Sequence, residues 1–153
     1  MLDPCTQSSR ANDVTFSDLD RSAARTPGTA CAFCAELESK TNIVGEFGTV
    51  LVLLDRYPVA EGHLLILPRR HVEQLFDLSD VETLDSWRSL KALRSRYIEL
   101  DPTILGFNIG ANVGKVAGQT IPHAHIHLIP RREGDTPDPK GGVRGVIPER
   151  RSY

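Results

Sequence analysis

Three histidines, His123, His125 and His127, alternate with Ala124, Ile126 and Leu128. On an extended strand successive side chains point to opposite faces, so the three imidazoles are expected on one face, roughly 6.5 Å apart, with the apolar residues on the other. An uncharged imidazole can act near neutral pH as a nucleophile, a proton carrier or a metal ligand. Phosphorus chemistry suits the first role. A ring nitrogen displaces a leaving group from a phosphate, and water then hydrolyses the resulting phosphoramidate, so one hard step becomes two easier ones. His125, in the middle of the row, is the candidate nucleophile. His127 on one side, and the backbone N–H groups, amide and hydroxyl of Gly118-Gln119-Thr120 on the other, are candidate donors to the phosphate oxygens. A neutral imidazole nucleophile implies that activity falls below about pH 6, near the intrinsic histidine pKa.

A second constellation is Cys31-Ala-Phe-Cys34. Two thiols at this spacing are half of a zinc site, and a tetrahedral site needs two further ligands. Other readings of the histidine row stand beside the nucleophilic one. In a metal-dependent phosphohydrolase, His123, His125 and His127 would hold an ion that activates water. In a nucleotide-binding sensor or scaffold, the same residues would bind without turnover. The Gly114-Lys115 pair is not a P-loop ending, because Ile109 and Val116 stand where Gly and Ser or Thr are required.

The elements that position these residues follow from periodicity. Ile43 to Phe47, Val50 to Leu54 and His63 to Leu67 have strand length and are separated by Gly48 and by the turn-rich Tyr57 to Gly62. Ser79-Asp80-Val81-Glu82 reads as a capping box. Leu84, Trp87, Leu90, Leu93, Tyr97 and Leu100 then recur at helical spacing, giving an amphipathic helix that ends before Pro102 with Trp87 in its packed stripe. Leu105 to Ala111 and Pro122 to Ile129 read as two further strands. Strands, a helix and strands again imply an α+β domain with a mainly antiparallel sheet. Residues 1–29, polar and without a sustained period, read as an arm, 30–132 as the single domain, and 133–153 as an irregular, solvated Pro/Gly/Arg-rich tail.

Composition narrows the partners. A 153-residue chain with 40% hydrophobic and 25% charged residues suits one globular domain, and a net charge of −2 offers no excess for duplex nucleic acid or an acidic membrane. The first ten residues contain no signal-peptide core, and the longest aliphatic run, Val50 to Leu54, is far short of a membrane span, so a cytoplasmic protein is expected. Three cysteines in such a chain argue against a disulfide framework.

The segment His123-Ala-His125-Ile-His127-Leu-Ile, preceded by Ala117-Gly118-Gln119-Thr120, resembles the signature of the histidine triad family. So do Leu54-Asp55-Arg56-Tyr57-Pro58, the block from Gly62 and His63 through Pro68 to His71, and Asn112. The likeness covers about Cys31 to Arg132. It implies a five-stranded antiparallel sheet with one long and one short helix, paired as a homodimer. It further implies a hydrolase that cleaves dinucleoside polyphosphates or adenosine phosphoramidates through a nucleotidyl-histidine intermediate. By the same resemblance, His125 is the nucleophile, and His127 and His63 lie around the phosphates. Gly118, Gln119 and Thr120 form the turn at the scissile phosphate, Asp55 binds ribose hydroxyls and Asn112 contacts substrate. Histidine rather than glutamine at position 127 is similar to the hydrolase pattern. In zinc-bearing members the matching ligands are Cys31, Cys34, His71 and His123, which implies a structural Zn2+.

Overall fold

Val50, Leu51, Val52 and Leu53 are apolar without alternation and all buried, so the strand they form must be covered on both faces. The computed structural model describes residues 31–151 and supplies both covers; the arm expected over residues 1–29 lies outside the described residues. Val50 and Val52 join Leu64, Ile66, Leu128 and the helix residue Leu90 in one core cluster. Leu51 and Leu53 join Leu65, Leu67 and Phe33 in another.

Helix α1 (Ala32–Ser39) leads into β1 (Ile43–Phe47), β2 (Val50–Leu54) and β3 (Leu64–Pro68). Helix α2 (Asp80–Leu100), β4 (Ile104–Gly110) and β5 (Ile126–Arg132) follow. The five strands form one sheet in the order β1-β2-β3-β5-β4, every pair antiparallel. α2 covers one face and α1 the other. The fold is thus the α+β architecture expected. β1 and β2 have their expected bounds, β3 and β4 are offset by one residue, and β5 starts later than expected.

That late start matters for the site. Of the three, only His127 lies within a strand; His123, at a bend where its N–H donates to the Ile121 carbonyl, and His125 precede β5. Pro122 has no N–H to give a ladder, and the Ala124 N–H donates to the Val72 carbonyl instead of a neighbouring strand. The three histidines are therefore not an evenly spaced row on one strand.

Helix α2 begins as expected, with the Ser79 hydroxyl accepting from the Glu82 N–H and the Glu82 carboxylate accepting from the Ser79 N–H. Glu82 also pairs with Arg70, tying the helix start to the end of β3. The buried side of the helix is rotated from the apolar stripe. Ser86, Ser89 and Leu90 face the sheet, whereas Trp87 is 57% exposed, against the expected packing in the core. Ser86 and Ser89 donate their hydroxyls to the helix's own carbonyls, so small polar residues can be buried where the helix lies close to the sheet. Farther along, the Tyr97 hydroxyl donates to the Gly62 carbonyl at 2.6 Å and pins the loop between β2 and β3. That loop carries Asp55 at one end and His63 at the other, joined by a bond from the Asp55 N–H to the His63 carbonyl.

The tail is less irregular than expected. Two short 3-10 turns, Gly142–Val146 and Pro148–Arg150, follow β5, and ion pairs Arg131–Asp135 and Arg151–Asp138 hold the segment. Among the described residues, no helix is long and apolar enough to cross a membrane.

Candidate active site and metal cluster

His123 and His125 are two residues apart but face different surroundings. His123 is fully buried, and its Nε2 lies 2.9 Å from the Pro68 carbonyl. A carbonyl only accepts, so Nε2 carries the proton and Nδ1 presents its lone pair. That Nδ1 lies 3.6 Å from Cys31 Sγ and 3.7 Å from Cys34 Sγ, while His71 Nδ1 lies 3.3 Å from Cys34 Sγ. The donor atoms of Cys31, Cys34, His71 and His123 all lie within 4.8 Å of one another, a cluster that could hold a metal ion. Two thiols and two imidazoles suit a tetrahedral, borderline-soft cation. Burial and the neighbouring Cys31 push the Cys34 thiol up to about 11, so a cation is needed to hold that sulfur as a thiolate.

His125 is anchored through the other nitrogen. Its Nδ1 lies 2.7 Å from the His123 carbonyl and donates to it, which leaves the lone pair on Nε2. Its ring lines a cavity of about 310 Å³ together with Phe33, Glu36, Asp55, Arg56, Thr120 and His127. The Phe33 ring meets His123 and His125 edge-on, at 5.9 and 5.2 Å between centroids, so one aromatic side chain braces both rings. The two metal-capable groups among the described residues are the Cys/His cluster and Asp55, His63 and His127. Neither contains His125, so the three triad histidines do not converge on one ion, and the metallohydrolase expectation built on them fails.

Behind His127 lies His63. The Val59 N–H donates to His63 Nδ1 at 3.3 Å, and His63 Nε2 lies 2.9 Å from His127 Nδ1. Asp55 Oδ2 is also near His63 Nδ1, at 3.4 Å. The amide can only donate, so in the neutral ring Nδ1 accepts, Nε2–H donates to His127, and His127 is left with Nε2–H as a donor. Burial lowers His63 against the pull of Asp55, and burial with the neighbouring His125 and His63 lowers His127 to about 4. Asp55, which lines the cavity, uses Oδ1 to accept from the Tyr57 N–H, while Oδ2 lies 3.4 Å from His63 Nδ1 and 3.9 Å from His127 Nδ1.

With this geometry in place, comparison with known proteins decides the lineage. The HIT domain family matches residues 36–134, more than half of the chain. The chain belongs to the HIT family. The adenosine 5'-monophosphoramidase of Saccharomyces cerevisiae is 36% identical to this HIT protein over 114 residues, 73% of this chain and 69% of that one. The asymmetrical bis(5'-nucleosyl)-tetraphosphatase of Schizosaccharomyces pombe is 40% identical over 78 residues, 51% of this chain. A solved structure, a Zn-bound histidine triad family protein from Mycobacterium smegmatis, superposes with a TM-score of 0.57 at 31% identity, covering 71% of this chain and 84% of that one. This HIT protein spans only 42% of the tetraphosphatase and 20% of a fusion-protein relative.

The other sequence-derived residues divide in two. Thr120, Asp55, His125 and His127 line the cavity, with His63 behind them. Asn112, Gly118 and Gln119 do not line it. Gln119 is occupied in holding its loop: its Oε1 accepts from the Gly114 N–H, and its Nε2 donates to the Glu73 and Ile121 carbonyls. A Cβ on Gly118, at φ +91°, would stand 3.6 Å from Asn112 Nδ2, so Asn112 packs beside the same loop. Sequence reasoning missed Phe33, the Pro68 and His123 carbonyls and the Val59 N–H. Only Phe33 carried any signal, by standing between the two cysteines. It also missed the 2.6 Å ion pair between Arg56 and the nearly buried Glu36, both of which line the cavity.

Proposed function

We propose that this HIT protein is a nucleotide hydrolase that cleaves a phosphate linkage through a nucleotidyl adduct on His125. One observation carries the reading: His125 Nδ1–H donates to the His123 carbonyl, which leaves Nε2, in a ring lining the cavity, as the His125 nitrogen with a free lone pair to attack. Nε2 bonds to phosphorus while the bond to the leaving group breaks, and that group departs with the electron pair and takes a proton. Water then adds its oxygen to phosphorus and frees the ring. His127, with Nε2–H set by His63, donates to a phosphate oxygen; the Thr120 hydroxyl and backbone assist from the opposite wall, and Asp55 Oδ2 accepts from ribose. Gln119 and Asn112 act by fixing the loop that presents Thr120. The candidate substrates are adenosine phosphoramidates and dinucleoside polyphosphates, which the names of the two relatives support.

Cys31, Cys34, His71 and His123 would hold zinc in a structural role, fixing the segment before β5 so that His125 stays free of metal. Turnover of a panel of both substrate classes supports the hydrolase; tight nucleotide binding with no cleavage of any member overturns it.

The partner is a second copy of the chain. An apolar recess of about 410 Å³, lined by Phe76, Trp87, Leu90 and Ile109, lies beside β4, whose outer edge is unpaired in the sheet. A twofold that pairs β4 with β4 buries both recesses and both edges at once. Trp87→Glu is expected to shift the dimer to monomer in light scattering.

A further inference from the structure

His127, Ile129 and Arg131 point to one face of β5, and the residues across the ladder are Gly110, Asn108 and Gly106. Directly opposed residues share a face. Past His127, this face therefore carries side chains at Asn108, Ile129 and Arg131, with bare backbone at two glycines. A Cβ on Gly110 would meet nothing within 4 Å. Over this floor lies a second cleft of about 590 Å³, larger than the 310 Å³ cavity at His125. The first cavity lies over β2, β3 and the start of β5, and the second over β5 and β4, so His127 stands between them. The near rim is Val59 and Ala60, in the loop whose Val59 N–H holds His63. The far wall is the tail, through Thr136, Gly142 and Val143. A Cβ on Gly142 would lie 3.5 Å from Asn108 Nδ2, so the tail rests against the floor. This wall lies beyond residue 134, where the HIT domain match ends.

The lining selects a class of occupant. Arg131 gives Nε and Nη2 to the Asp135 carboxylate, at 2.8 and 2.6 Å, and Nη1 to Asn108 Oδ1 at 2.6 Å. Arg132 gives Nε and Nη2 to Asp101. Both guanidinium groups are thus neutralised, which removes the attraction a terminal phosphate would need. Val59, Ala60, Ile129 and Val143 offer apolar contact, and the Asn108 amide, its oxygen occupied, keeps Nδ2–H groups to donate. Such a lining fits an uncharged, flat group with hydrogen-bond acceptors. A small amine leaving group would fill little of it.

Building on the hydrolase reading, we propose that this cleft is a leaving-group subsite that receives the second nucleoside of a dinucleoside polyphosphate whose first nucleotide lies at His125. Equilibrium binding separates this from the chemistry. AMP and a methylene-bridged, non-hydrolysable diadenosine polyphosphate are titrated into the full-length protein and into two variants, Val143→Trp and Thr136→Trp, which fill the cleft from its exposed wall. The analogue is expected to bind at least tenfold more tightly than AMP. The Trp variants are expected to bring the two ligands within twofold of each other and to leave AMP unchanged. An analogue no tighter than AMP, an advantage that survives in both variants, or loss of AMP binding in both overturns the subsite. Failure of the hydrolase reading looks different: no adduct forms on His125, whatever the binding pattern.

Discussion

His123 and His125 are the same residue type in the same short segment before β5, yet they are held by opposite nitrogens. His123 donates through Nε2 to Pro68 and turns Nδ1 toward two thiols; His125 donates through Nδ1 to the His123 carbonyl and keeps the Nε2 lone pair. The difference lies in which backbone carbonyl each ring meets. In the proposed reaction it suits one ring to be a ligand and the other to be the nucleophile. The two regions are also coupled: Phe33 lies between the cysteines in sequence and touches both rings. A metal held by the Cys/His cluster would therefore steady the His125 ring through Phe33 without touching the phosphate of the proposed substrate.

The contrast is tested most severely at His125. His125→Ala is expected to fold, keep its metal and lose turnover by on the order of 10⁴-fold or more; retention of more than a hundredth of the activity would erase the distinction between the rings. Removal of the metal, by chelation or in Cys34→Ser, should act on stability instead. The melting temperature is expected to fall by roughly 10 °C, since loss of a metal site is among the large single-site effects. Unchanged melting would show that the cluster does not organise the segment. A smaller effect is expected at His63→Ala, which leaves His127 without the partner that sets its proton: kcat is expected to drop about 10²-fold with little change in nucleotide affinity. An affinity loss of equal size would make His63 part of the binding surface instead.

The smallest effect is in the pH dependence of stability. Burial holds His127 at about 4 in the folded chain against an ordinary value of 6.5. Between those values the unfolded state binds the extra proton, so stability falls as pH drops from 6.5 and the fall levels out near 4. His127→Gln, which does not titrate, should flatten part of this slope; an unaltered slope would assign it elsewhere.

Much of the fold was legible because it rests on side-chain pattern. Gly48 between two apolar runs marked the β1–β2 hairpin, and Ser79 with Glu82 marked the start of α2. The pattern failed where position in the sheet overrides it. Pro122 and the bond from Ala124 to Val72 delay β5, and the rotation of α2 sends Trp87 outward while Ser86 and Ser89 go in. Which residues gather at the Cys/His cluster was implied by the resemblance. Which atom each ring presents was not, because the Pro68 and His123 carbonyls and the Val59 N–H are backbone groups that every residue carries.

In the proposed reaction His125 Nε2, and no metal-bound water, attacks phosphorus. Intact-mass and peptide mapping of protein quenched during turnover of an adenosine phosphoramidate tests it directly. A single nucleotidyl adduct on His125, absent from His125→Ala, is the expected result; turnover without any adduct, or an adduct on another residue, would contradict it.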